Sequence, residues 1–386
     1  VNDIANRRVV LLDETLTLQR VVADSTEATA TAYSGQMGGL IPFTGDSSLF
    51  VDPASMSMLL LDPQGSVARV MSVPRSQDAM MLAAPMAGAP ALDGRGGLVY
   101  RGSPRFEMRR QATPQGGGGT TAFMPPQMPD STPVVRGDLG TRAVDTLGYV
   151  KIPRVKMEFS RDENGRMSMS ATMNPLPVTD DWAVLADGSV ALVRGQDYHI
   201  DWIRPDGTRE SSPKVPFDWR RFSDEDKVAF MDSVTAHRAR LHSLTPPDTG
   251  ATAEQPQQRR MRPRPDGAAV EMGARIMIAG PGGRSTVSSS RAQMSFVSPA
   301  ELPDYQPVFF ANSIRADADG NLWVATIPTR QREGGTVYDV INGKGELIDG
   351  VQVPVNRTII GFGREGVVYL ASRGGAPRTL ERARVR

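Results

Sequence analysis

The sequence predicts an all-β fold: a β-propeller, read as six four-stranded blades with one inserted helix and long irregular loops. Three observations carry that reading. A hairpin unit recurs with a fixed internal spacing, a second turn-and-strand signal precedes each copy, and the composition disfavours long helices. The chain has 386 residues, with 38 Gly and 30 Pro, so turns are frequent. Hydrophobic residues make up 39 %, enough for a core, and a closed repeat fold reaches this length as one domain.

The recurring unit is seen in "LLLDPQGSVARVMSVP" (59–74), "DWIRPDGTRESSPKVP" (201–216) and "DVINGKGELIDGVQVP" (339–354). Each is an apolar strand, a turn ending in Gly, a second strand, and Val-Pro. Gly65, Gly207 and Gly345 each precede the closing proline by nine residues. A fourth copy runs to Pro153 with a longer second strand, and "RVVLLDETLTLQRVVA" near the N-terminus is a looser fifth. Turn glycines supply the positive φ that a tight hairpin requires. The flanking residues are β-branched or large and apolar.

Upstream lie "GDSSLFV", "DGRGGLVYRG", "ADGSVALVRG", "DADGNLWVA" and "GREGVVYLA". With the hairpins they give units of four short antiparallel strands in about 40–50 residues, the size of a propeller blade. Blades hide their faces on one another, so the ring has to close. Three strand signals end the chain, and the N-terminal strands lack a first half. A closing blade shared between the termini fits both. The whole chain is therefore read as a single propeller domain, 1–386.

Two segments interrupt the pattern. Residues 111–132 are rich in Gly and Pro and read first as a surface loop. Read instead as a partner-binding arm, the segment offers Phe123, Met124 and Met128 as apolar anchors. The second insertion spans 217–307. Its helix is placed at about 224–242, with Ser223 as N-cap and Asp226 three residues on. Val228, Met231 and Val234 form its apolar stripe, expected to pack on the propeller. A flexible linker, 244–268, carries Arg259, Arg260, Arg262 and Arg264, which suit an acidic protein surface or lipid headgroups. Trp219 joins these as a candidate partner contact.

The net charge of +1 gives no field that would favour nucleic acid. With no Cys, thiol nucleophiles, thiolate metal sites and disulfides are excluded. No apolar run approaches the roughly 18–20 residues of a membrane span. The first residue is Val, which suggests a removed leader and export. His237 and His242 are not spaced as a helical metal pair, and "GPGGRS" lacks the Lys of a phosphate loop. "DADG" at 317–320 looks like the start of a calcium loop, but Gly follows the second Asp at once and no late Glu completes it. It reads instead as a blade turn. Catalytic, cofactor-binding and metal residues are thus expected to be none.

The phrasing "ADGSVALVRGQDYHIDWIRPDG", together with "DADGNLWVA" and its lead-in "ELPDYQPVF", resembles bacterial six-bladed propellers of the NHL and Tol-system type. The general style also resembles an extrinsic subunit of a bacterial photosynthetic reaction-centre and antenna complex. That resemblance implies a periplasmic, non-enzymatic scaffold, peripheral to a membrane and docked on membrane-protein subunits without a cofactor. Two further classes stay open. One is a metal-dependent propeller hydrolase of lactonase type, for which Asp187, Asp206, Asp317 and Asp319 are the available carboxylates. The other is a glycan- or peptide-binding module, with Trp182, Trp202, Trp219 and Trp323 as stacking candidates.

Overall fold

The structure is a computed structural model. It describes residues 1–25, 33–34, 37–84, 88–104, 129–161, 167–244, 293–329, 334–372 and 379–385. Phe123, Met124 and Met128, and the arginines 259, 260, 262 and 264, lie outside the described residues.

The first sheet is β1 (Asn2–Asp3), β2 (Arg8–Leu12) and β3 (Leu18–Ala23). The second is β4 (Gly39–Pro42), β5 (Ser48–Asp52), β6 (Ser57–Leu61) and β7 (Val67–Ser72), followed by the short helix α1 (Ala79–Ala83). The third is β8 (Ala91–Leu92), β9 (Leu98–Arg101), β10 (Ser131–Gly137) and β11 (Val144–Lys151). A hairpin of β12 (Val155–Arg161) and β13 (Met167–Met173) intervenes. The fourth sheet is β14 (Asp181–Val184), β15 (Val190–Arg194), β16 (His199–Ile203) and β17 (Arg209–Ser211). After α2 (Asp224–Leu244), β18 (Gln293–Phe296) adds to the earlier hairpin, parallel to β13. The fifth sheet is β19 (Phe309–Ala316), β20 (Leu322–Thr326), β21 (Val337–Ile341) and β22 (Leu347–Gln352). The sixth is β23 (Arg357–Phe362), β24 (Val367–Ser372) and β25 (Leu380–Arg384).

These six antiparallel sheets are the blades. The core lies between them, because each blade is apolar on both faces. Val9 and Val22 of the first pack with Phe50 and Leu59 of the second. Leu49 and Met58 meet Tyr100 and Val135 of the third. Val99 and Val134 meet Trp182 and Leu192 of the fourth. Ile200 and Trp202 meet Phe309 and Ile314 of the fifth, and Trp323 and Val340 meet Ile359 and Leu370 of the sixth. Buried Val, Leu and Ile side chains make up much of this contact, with wholly buried aromatics such as Trp182, Trp202 and Tyr100 among them, and that apolar burial is the main driving force for stacking.

The repeated turns have one construction. In 62–66 the Asp62 N–H donates to the Ser66 carbonyl and the Gly65 N–H to the Asp62 carbonyl, both at 2.9 Å. The same pair of bonds recurs at 93–97, 185–189, 204–208 and 342–346. The fourth position is Gly each time and has positive φ, from 76° at Gly65 to 93° at Gly207, where a Cβ would be strained. In the longer copy the positive φ falls on Arg142 rather than Gly140.

The hairpin β12–β13 with β18 stands outside the series of blades, since the third blade packs directly on the fourth. Two features differ from the sequence reading. The termini do not share a blade: β1–β3 and β23–β25 are separate three-stranded sheets. Helix α2 does carry the reciprocal cap between Ser223 and Asp226. Its buried residues, however, are Lys227 and Met231, with Phe230 and Val234 half-buried beside them, while Val228 is 48 % exposed. Met231 packs with Leu176, Val297 and Leu302, so the helix covers the strand-insertion region, not an inter-blade core.

Candidate functional site

The prominent cavity, about 960 Å³, lies where the second insertion meets the fourth blade. Its walls come from 151–154 after β11, 174–178 before β14, the 195–197 turn between β15 and β16, Lys214, Trp219, and 301–307 before β19. Most of these segments are proline-bearing connections. They cannot extend a ladder and so leave a concave surface above the sheet ends. The insertion's two ends are tied together. The Phe222 N–H donates to the Asp304 carbonyl at 2.8 Å, and the Gln306 N–H to the Arg220 carbonyl at 3.0 Å.

That tie presents two aromatic side chains to the cavity, Trp219 (38 % exposed) and Tyr305 (51 % exposed). Trp219 is braced from behind. It meets Phe217 edge-on at 5.4 Å between centroids, and Phe217 meets Tyr198 at 5.8 Å. Tyr198 is buried and donates its hydroxyl to Asp339 at 2.9 Å. A planar apolar surface is therefore held in place by the blade core. The other tryptophans proposed for stacking, Trp182, Trp202 and Trp323, are buried between blades.

Polar groups surround this surface. Asn174, Gln196, Asp197, Lys214, Lys151, Glu301 and Asp304 all line the cavity. Partial burial pushes the Asp197 carboxyl up. The hydrogen bond and charge of His199 (2.6 Å) and the charge of Lys214 (3.5 Å) outweigh that and hold it below the usual range. His199 also approaches Asp201 at 3.3 Å, and Arg194 ties Asp201 (2.7 Å) to Asp180 (2.8 Å). Glu301 is lowered by Lys156 at 2.8 Å and by Ser298. Asp304 is lowered by Lys227, whose ammonium lies 2.7 Å away on α2. All three carboxylates are thus ionised hydrogen-bond acceptors at neutral pH. The Lys151 ammonium has no ion-pair partner among the described residues.

The turn carboxylates do not converge on a metal. Asp317 accepts the N–H groups of Asp319 (3.0 Å) and Asn321 (2.8 Å), the Asn321 amide (3.0 Å) and the Trp323 indole N–H (2.9 Å). Asp319 accepts the Glu365 and Gly366 N–H groups of the sixth blade. Asp187 and Asp206 accept their own turn amides. Among the described residues no three His, Asp or Glu side chains are grouped to hold a metal ion. The four carboxylates named for a lactonase-type centre are each engaged by backbone amides at the blade turns.

Sequence reasoning placed Trp219 among contact residues, and the structure puts it in the cavity wall. It missed Tyr305, Asp197 and Lys214. "PFDW" and "LPDYQP" each set an aromatic beside prolines outside the repeat, and that common feature was the available signal.

No protein-family profile matches the sequence, and no curated protein matches it by sequence. Solved structures do align. A Staphylococcus aureus virginiamycin B lyase variant, crystallised with quinupristin, is 9 % identical, with 99 % of this chain and 78 % of that one covered, at a TM-score of 0.33. A Xanthomonas campestris gluconolactonase is 12 % identical, with 90 % and 86 % covered, at 0.26. TolB from Acinetobacter baumannii is 12 % identical, with 55 % and 50 % covered, at 0.21. Likeness at this level transfers no activity. It does correct the expectation of a non-enzymatic chain: the aligned structures include a lyase and gluconolactonases, so the architecture gives no ground for setting catalysis aside. The fold is an all-β propeller, with six blade sheets among the described residues, four of them four-stranded.

Proposed function

We propose that the cavity beside the fourth blade binds a carbohydrate. The observation that carries this reading is the pairing of two exposed aromatic faces, Trp219 and Tyr305, with a ring of hydrogen-bonding groups in one cleft. Sugar rings present an apolar C–H face and an equatorial rim of hydroxyls. The first stacks on an aromatic side chain, and the second bonds to fixed carboxylate, amide and ammonium groups. Asn174, Gln196, Asp197 and Lys214 supply donors and acceptors of both kinds. Small-ligand cavities span roughly 300–1,000 Å³, so this one suits an oligomer better than a single small metabolite. A glycan ligand fits an extracytoplasmic location. The scaffold reading, with a photosynthetic complex as partner, draws no support from the cavity or from the aligned structures.

The test is titration of soluble oligosaccharides, with chitotetraose, cellotetraose and a muropeptide as probes, against the full chain and W219A. Saturable binding that weakens about tenfold or more in W219A, near 1.4 kcal/mol, supports the reading. Binding of proline-rich peptides in place of every glycan would replace it with the peptide class.

A further inference from the structure

The charges of the cavity divide by how they are held. Glu301 and Asp304 each have a cation from outside its lining, Lys156 at 2.8 Å and Lys227 at 2.7 Å. Asp197 has His199 at 2.6 Å, and Arg154 has Asp130. Two ammonium groups are less committed. Lys151 is exposed and has no ion-pair partner among the described residues. Lys214, its side chain 72 % exposed, meets Asp197 at 3.5 Å. An exposed contact of that length contributes little and is readily exchanged for a ligand's charge.

Both lysines are anchored beside the same turn, 195–197. On one side Asp180 is the clamp. Its carboxylate accepts the Lys151 N–H at 3.0 Å and the Gly195 N–H at 3.1 Å, and its own N–H donates to the Lys151 carbonyl at 3.0 Å. Arg194 binds the same carboxylate at 2.8 Å, so Asp180 is neutralised without the Lys151 ammonium. On the other side the Val215 N–H donates to the Tyr198 carbonyl at 2.7 Å, which sets Lys214 next to Asp197. Tyr198 also braces Trp219 through Phe217. One turn therefore positions the stacking face and two cationic side chains.

We propose that the ligand is an acidic glycan, a chain of hexuronate units, with Lys151 and Lys214 binding ring carboxylates while Trp219 stacks on a sugar face. The inference rests on the carbohydrate reading of the cavity. A pyranuronate carries its carboxylate at the ring edge. A ring lying flat on the indole therefore directs that group sideways, towards side chains beside the stacking face. Each ammonium then donates a charge-assisted hydrogen bond. Glu301 and Asp304 do not oppose this, because Lys156 and Lys227 offset their charge and leave them as acceptors for sugar hydroxyls.

Tetragalacturonate and its neutral methyl ester are the paired probes, titrated calorimetrically against the full chain. The acid should bind about tenfold more tightly than the ester at low salt, and the margin should shrink at about 0.5 M NaCl. K151Q/K214Q should remove the preference, so that acid and ester bind alike, with thermal unfolding unchanged. K344Q, at an exposed lysine of the fifth blade outside the cavity lining, should keep it. Should the double variant misfold, the acid-to-ester ratio of the unaltered chain still decides. Equal binding of acid and ester overturns the inference and leaves the carbohydrate reading standing. A sulfated tetrasaccharide that binds more tightly than tetragalacturonate puts sulfate in place of uronate and overturns it too. Failure of these probes and of every neutral glycan to bind overturns the inference together with the reading beneath it.

Discussion

The Asp181 carboxylate at the start of β14 accepts the backbone N–H of Ile314, in β19 of the next blade, at 3.2 Å. It also accepts Ser313 N–H at 2.9 Å and Trp182 N–H at 2.9 Å. The group joins two blades at the bulge where β19 shifts register and Asn312 takes a φ of 64°. Burial pushes its carboxyl up to about 6, against the bonds that favour the charged form. Its folded pKa is therefore above the unfolded value near 3.8. The folded state holds this proton more tightly, so stability from the group is present at low pH and falls as pH rises from about 4 through about 6. Wild type should lose up to about 3 kcal/mol of stability relative to D181N as pH rises over that window. Denaturant titrations at several pH values measure it, and a pH-independent difference would refute it.

Glycine turns differ in what surrounds them. A Cβ on Gly188 would lie 2.1 Å from the Gly94 nitrogen of the third blade, whereas one on Gly207 meets nothing within 4 Å. Both have positive φ. G207A should cost only the backbone strain, about 1–2 kcal/mol. G188A adds an inter-blade collision and should lose about 3 kcal/mol or more. Equal losses in chemical denaturation would mean the blades do not approach at this turn.

Asp317 tests architecture against calcium. D317A leaves the Trp323 indole N–H and two turn amides without their acceptor, which should cost about 1–3 kcal/mol. Calcium should leave the melting temperature of wild type and variant unchanged. A calcium-dependent rise in wild type alone would restore the metal reading.

Trp202 and Trp219 separate stability from binding. Trp202 is 1 % exposed between the fourth and fifth blades, and W202A should cost about 3–5 kcal/mol. Trp219 rests on Phe217 at the cavity rim, and W219A should change stability by about 1 kcal/mol or less while abolishing glycan stacking. W219F should retain part of the affinity. Calorimetry with thermal melts on the three variants checks the separation.

The blade pattern was legible because a hairpin needs local information only: alternating apolar residues and a glycine at the left-handed position. Gly65, Gly207 and Gly345 all stand where the spacing places them. The cavity was not legible, because its walls come from positions as far apart as Lys151 and Pro307, brought together by the pairing of 220–222 with 304–306. Nor could helical spacing alone tell Val228, which is exposed, from Lys227, whose ammonium is drawn towards Asp304.

The sequence by itself determined the strands, their turns and the repeat that makes blades of them, since each depends on residues a few positions apart. It also determined that Asp317 and Asp319 belong to a turn. Tertiary structure decided which tryptophan is exposed, which carboxylates stay charged, and that the first and last strands form two separate three-stranded sheets rather than one shared blade. Those outcomes depend on burial and on contacts between distant segments, which no local pattern encodes.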